Sequence, residues 1–328
     1  MNPQLSANTQ GLWAQLPALA QEIALAHAEL AIAHPRAHEH LQAHLQGRLN
    51  TNAKAFNPGF EVELAVLALG FESEDAQLLA QAWLRQTARA GQNTPGADLD
   101  PKSWPSMFED FEPEASQNSS PLKAHAPCPK RLGLYVVAPT ADWIARLVEM
   151  GVPTVQLRFK SEDPKAIERE VQQAIAHASG SASHLYINDH WQLAIAMGAY
   201  GIHLGQEDID GADFEAIRQS GLRLGLSTHG YSEMLRAAKQ RPSYLALGAV
   251  YATNLKVMPT QPQGPKRLAR YAALMGQRFP LVAIGGIDEE RLDEVLPSGV
   301  GSVAAVRAIL QAQDPAREAK RWMQRCPV

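Results

Sequence analysis

The segment Thr154-Val-Gln-Leu-Arg-Phe-Lys160 alternates apolar residues with Gln156, Arg158 and Lys160. In an extended strand, such alternation sends an amide, a guanidinium and an ammonium to one face. Burying that face is costly unless an anion meets it. Arg158 offers a two-pronged donor for phosphate oxygens, and Lys160 adds a point charge. An edge strand with one wet face would need no ligand at all. Polar residues recur, however, after one apolar run after another: Asn188-Asp189, Gly205-Gln206-Glu207-Asp208, Ser227-Thr228-His229, Thr253 to Lys256, Gly285-Gly286 and Val306-Arg307. A solvated edge explains any one of these and explains the set poorly.

The residue types specify a chemistry. Arg158, Lys160 and Lys256 bring three cations from separate loops, which calls for a polyanion such as a pyrophosphate. Asp189 and Asp208 would repel that ligand unless a cation lay between them, and hard oxygen donors with phosphate oxygens suit Mg2+. Asn188 and Ser227 are neutral hydrogen-bonding groups suited to a heterocycle or a phosphate oxygen. Gly285-Gly286 lets the backbone come close to a second ligand and offers exposed amides for a phosphate.

Elements that position these residues follow from the pattern after Arg131. Predicted strands are Gly133 to Ala138, Thr154 to Arg158, His184 to Asn188, Gly201 to Leu204, Arg223 to Ser227, Tyr244 to Gly248, Leu281 to Gly285 and Ser302 to Val306. Helical periodicity fills the gaps, as in Asp163 to Ala178 and Ser232 to Gln240. Short apolar strands alternating with helices imply parallel pairing through crossovers. Eight such units predict an α/β (β/α)8 barrel over 131–328, closed by a helix from Ala308 to Gln324, with its chemistry at the C-terminal strand ends.

Residues 1–90 read as a small all-α domain. Leu12, Leu16, Leu19, Ile23, Ala26 and Leu30 recur at helical spacing, and further helices are predicted over Arg36 to Leu49, Glu61 to Ala68 and Ser73 to Ala90. The pairs His34/His38 and His40/His44 have a spacing that two imidazoles on one metal require, but no Cys or well-placed carboxylate completes a site. A solvated helix face is the better expectation. Between 91 and 130, seven prolines (95, 101, 105, 113, 121, 127 and 129) punctuate polar sequence without periodicity, the mark of a linker. Trp104, Met107, Phe108 and Phe111 are suited to pin its first half onto a domain surface.

Of the 328 residues, 45% are apolar and 20% charged, enough for a real core and against disorder of the whole chain. A net charge of -4 argues against a general nucleic-acid binder. Two cysteines, Cys128 and Cys326, lack a metal-type spacing and suggest no disulfide framework. Neither a leader-type N-terminus nor a membrane-length apolar run is present, so a cytoplasmic protein with no membrane partner is expected.

These motifs, in order, resemble those of thiamine phosphate synthases: Gln156-Leu-Arg-Phe-Lys160, Ile187-Asn-Asp189, Gly201-Ile-His-Leu-Gly-Gln-Glu-Asp208, Gly225-Leu-Ser-Thr-His229, Leu247 through Lys256 and Ala283-Ile-Gly-Gly-Ile287. The resemblance spans 131–312. It implies condensation of hydroxymethylpyrimidine diphosphate with thiazole phosphate, giving thiamine phosphate and pyrophosphate. It implies Arg158, Lys160, Ser227 and Lys256 as catalytic residues and Gln156 and Asn188 beside them on the pyrimidine diphosphate. It places Mg2+ on Asp189 and Asp208. It places the thiazole phosphate on Thr253, Asn254, Leu255, Gly286, Val306 and Arg307. The family commonly has a hydroxyl residue at Leu255 and Ser at Arg307, so the thiazole side departs from the pattern. Two barrels side by side, a homo-oligomer, is the family expectation. A related thiazole tautomerase is the alternative, disfavoured by the retained Asp189, Asp208 and Lys256. A non-catalytic phosphate-ligand binding protein is a third reading. Residues 70–89, with Trp104-Pro105, resemble the closing helices of hydroxymethylpyrimidine phosphate kinases and would be a remnant without phosphoryl transfer.

Overall fold

A computed structural model describes residues 11, 13–49, 57–93, 98–111, 123–253 and 260–328. Leu12, Asn254, Leu255 and Lys256, and the prolines at 95, 113 and 121, lie outside the described residues. The chain forms two compact units, 1–119 and 120–328. Among the described residues no helix is long and apolar enough to cross a membrane.

The first unit is helical: α1 Ala18–Ala26, α2 Pro35–Leu49, α3 Pro58–Ala68, α4 Ser73–Asn93 and the short α5 Phe108–Phe111. Asn57 caps α3, its side chain accepting from Gly59 N at 2.9 Å, with Pro58 at the first helical position. Segment 98–111 lies along α4. Trp83 Nε1 donates to Asp100 O at 3.1 Å, and buried Asp110 pairs with Arg89 at 2.7 Å. Trp104, Phe108 and Phe111 are buried here, whereas Met107 stays exposed.

His34 departs furthest from the expected solvated face. His34 is buried, its Nδ1 accepts from Ala37 N at 3.3 Å, and its Nε2 lies 2.8 Å from Glu72. It precedes Pro35, so the chain turns there and the imidazole serves as the helix cap rather than facing water.

The second unit is a closed barrel of eight parallel strands in sequential order. They are β1 Gly133–Ala138, β2 Thr154–Leu157, β3 His184–Asn188, β4 Gly201–Leu204, β5 Arg223–Thr228, β6 Tyr244–Leu247, β7 Leu281–Ala283 and β8 Ser302–Ala305. Register fixes which side chains share the interior. Val137 pairs with Gln156, Gln156 with Tyr186, Asn188 with His203, His203 with Gly225 and Ser227 with Ala246. The opposite parity, including Val136, Val155, Leu185, Ile202 and Leu224, is fully buried outward beneath the helices.

Inside, large and small residues alternate. Tyr135, Tyr186 and Tyr244 fill the interior with Val137, Ala246, Val282 and Ala304. A Cβ on Gly201 would come 2.5 Å from Tyr186 Cε1, and one on Gly225 would overlap the Tyr244 ring. The two glycines are therefore the space into which neighbouring tyrosines fold.

Two expected boundaries shift. β2 stops at Leu157, so Arg158 and Lys160 belong to the loop beyond it, although Arg158 N still donates to Ala138 O at 2.8 Å. The expected closing helix is two, Arg307–Leu310 and Pro315–Arg325, because Asp314 accepts from Arg317 N at 3.0 Å and Pro315 starts the second afresh.

Gly225→Ala is expected to destabilise the barrel by roughly 1–3 kcal/mol through overpacking, seen as a lower denaturation midpoint. His125 is buried in the second unit, and burial, aided by the Arg218 charge, lowers its pKa from 6.5 to about 4. The unfolded chain takes up that proton first, so stability present above pH 6.5 should be lost as pH falls toward 4. Denaturation at stepped pH should show a flatter acid limb in His125→Gln.

Candidate active site

The C-terminal strand ends open into a cavity of about 870 Å³. Of the residues expected there, Gln156, Arg158, Lys160, Asn188, Asp189, Ser227, Thr253, Gly286, Val306 and Arg307 line it. Asp208 does not line the cavity and sits one residue behind Glu207, which does.

β2 delivers Gln156, 4% exposed, whose Nε2 donates to Tyr135 OH at 2.8 Å. In the loop beyond, Lys160 pairs with the Asp189 carboxylate. Arg158 is half-buried. At the end of β3, Asp189 holds a left-handed backbone with φ 64°, and its N–H donates to His203 O at 3.0 Å. Such a conformation strains most residues and is least unfavourable for Asp, Asn and Gly.

After β4 the chain turns through Gln206–Asp208, and Asp208 Oδ2 accepts from Gly205 N at 2.8 Å. Burial raises the Asp208 pKa above the usual carboxylate range; the Gly205 N–H opposes this and the Asp189 charge adds to it. The two acids are therefore close enough to feel each other. At β5, Ser227 Oγ lies 2.8 Å from His203 Nε2, and Gln206 Nε2 donates to Ser227 O at 2.7 Å. His229 follows, with Nδ1 held 2.6 Å from Glu233.

The loops after β6 and β7 bind each other. Val250 N donates to Ile284 O at 3.0 Å and Tyr251 N to Gly285 O at 2.9 Å. Gly285 and Gly286 have φ 103° and 63°. A Cβ on Gly286 would lie 2.5 Å from Ala252 O. The glycine pair thus serves loop packing as well as access to the cavity. Gly286 O also accepts from Arg291 Nη1 at 2.7 Å, and Arg291 lies 3.3 Å from Asp288.

Four described cations line the cavity: Arg158, Lys160, Arg291 and Arg307. Lys160 and Arg291 have carboxylate partners. Arg158 and Arg307 have none among the described residues. Guanidinium groups at a half-enclosed rim without carboxylates are ready to take an anion.

Sequence reasoning gave no role to Trp143, Glu207, His203, His229 or Arg291, all of which line the cavity. His203 was legible in principle, since Gly201-Ile-His-Leu puts an imidazole on the inward parity. Trp143 carries no such signal, because it lies on the helix Ala141–Glu149 that follows β1.

A family model described as thiamine monophosphate synthase matches residues 134–309, which contain every cavity residue named above. The chain belongs to the thiamine monophosphate synthase family. A thiamine-phosphate synthase of Pectobacterium atrosepticum is 51% identical over 189 residues, covering 58% of this chain and 89% of the relative. One from Neisseria meningitidis serogroup A is 51% identical over 189 residues, covering 58% and 92%. The solved thiamine phosphate pyrophosphorylase of Pyrococcus furiosus is 25% identical, with a TM-score of 0.51, over 60% of this chain and 98% of that one. The first unit lies outside the span matched by the synthase family model.

Arg158→Ala should weaken inorganic pyrophosphate binding about tenfold or more, as a charge-assisted hydrogen bond warrants. Arg236→Ala, a surface ion pair with Asp210, should leave it unchanged. Titration calorimetry on both variants checks this.

Proposed function

We propose that this family member joins hydroxymethylpyrimidine diphosphate to thiazole phosphate and releases pyrophosphate. One observation carries the reading: Arg158, without a carboxylate partner among the described residues, lines the same cavity as Lys160, Asp189 and Arg307. A diphosphate supplies the negative charge that this rim lacks. The family relationship supports the same reaction.

In this reading the bond between the pyrimidine methylene carbon and the diphosphate oxygen breaks, and its electron pair leaves with the diphosphate. The thiazole nitrogen then gives its lone pair to that carbon. Arg158, Lys160 and Lys256 stabilise the departing charge, and Ser227 donates to it. Gln156 and Asn188 hold the pyrimidine. Thr253, Asn254, Leu255, Gly286, Val306 and Arg307 hold the thiazole phosphate, with the Arg307 guanidinium taking the phosphate as a charged partner. Holding both substrates in one cavity supplies the orientation the bond needs.

Asp189 and Asp208 fit Mg2+. Both are oxygen donors; burial raises the Asp208 pKa and the Asp189 charge adds to it, and a cation would relieve that repulsion. Among the described residues no cluster of three or more His, Cys, Asp and Glu gathers, so waters and phosphate oxygens would complete the shell. When bound, the ion neutralises diphosphate charge. Lys160, paired with Asp189, would then be released toward the diphosphate.

Pyrophosphate release should require both substrates and Mg2+. Asp189→Ala should lower turnover about a hundredfold and abolish the Mg2+ dependence. Release of pyrophosphate without the thiazole, or wild-type turnover in Asp189→Ala, would sink the assignment.

A further inference from the structure

Five polar side chains from five strands join hands across the barrel interior. Gln156 Nε2 donates to Tyr135 OH at 2.8 Å, which lies 2.8 Å from Tyr244 OH. Tyr244 OH lies 2.7 Å from His203 Nδ1, and His203 Nε2 lies 2.8 Å from Ser227 Oγ. Gln156, His203 and Ser227 line the cavity, while Tyr135 and Tyr244 are fully enclosed beneath it. The two ends of this chain are residues that the proposed reaction places on the pyrimidine diphosphate, and the two tyrosines between them lie outside the cavity lining.

Proton counting gives the chain a direction. Tyr135 accepts from the Gln156 amide, and every hydroxyl proton along the chain finds an acceptor only when the Tyr135 proton goes to Tyr244. The Tyr244 proton then goes to His203 Nδ1. His203 is therefore protonated on Nε2 and donates to Ser227. The Ser227 proton is left for the cavity. At the other end, Gln156 Oε1 has no partner among the described residues, and Gln156 lines the cavity, leaving an acceptor there. The chain ends in a donor on one side and an acceptor on the other.

We infer that Tyr135, Tyr244 and His203 are positioning residues that fix this polarity for heterolysis of the pyrimidine diphosphate. The inference rests on the synthase reading. The Ser227 donor end faces the fragment that becomes the anion. The Gln156 acceptor end faces the exocyclic amine of the fragment that becomes cationic. No proton changes atoms. As charge separates, each hydrogen bond in the chain strengthens in the same sense, because polarised bonds in series reinforce one another. Packing holds the chain in place: Tyr186 stacks on Tyr135 at 5.9 Å and meets Tyr244 edge-on at 5.2 Å. His203 stacks on Tyr244 at 5.7 Å.

Tyr244→Phe keeps the ring and removes the middle link. It should lower kcat about tenfold while the KM of each substrate stays within roughly twofold, because the polarity matters most in the transition state. Tyr135→Phe should match it. The double variant should be no slower than either single one, since one break suffices. Tyr186→Phe removes a hydroxyl outside the chain from the same ring cluster and should keep full activity. Turnover in Tyr244→Phe close to that of the unaltered chain, a double variant slower by the product of the singles, or an equal loss in Tyr186→Phe would overturn the inference and leave the synthase reading standing. No coupling by the unaltered chain would overturn both.

Discussion

Closing eight parallel strands on themselves forces every inward side chain into one shared interior. That constraint governs the second unit. A ring at Tyr244 is possible only because Gly225 beside it has no side chain, and Tyr186 depends on Gly201 in the same way. With the interior filled by tyrosines, the polar atoms inside must find one another. Their hydroxyls, an imidazole and an amide become a linked set rather than isolated buried groups, which would be expensive. The rim then inherits residues whose orientation is set from below.

The rim itself balances charge by leaving some of it unmatched. Lys160 and Arg291 meet carboxylates, whereas Arg158 and Arg307 meet none among the described residues. Under the proposed reaction, phosphate groups would supply the missing charge from two sides of the opening.

Much of the barrel could be read from the chain, since strand alternation is a local signal. Seven strand starts and the eighth are set by apolar runs bounded by Gly, Pro and polar residues, and the observed strands fall on the expected ones with ends moved by one or two residues. The ends moved where local rules compete. β7 stops before Gly285 because that glycine adopts φ 103° to seat the neighbouring loop. The site was legible where charge marked it, as at Arg158, Lys160 and Asp189. It was not legible where polar atoms beneath the cavity belong to residues that also serve as core. Tyr135 and Tyr244 look like strand hydrophobes, and only the register brings their hydroxyls together. Glu233 behind His229, and His34 as a helix cap, likewise depend on geometry that spacing alone leaves open.

Asp189 sits on a left-handed main-chain twist at the end of β3. Amide and glycine tolerate that twist almost as well as the acid does. Shape and electrostatics at this corner are consequently separable. A descendant bearing Asn here would keep its outline while forfeiting a carboxylate, so silhouette alone is a poor guide to the charge this corner carries.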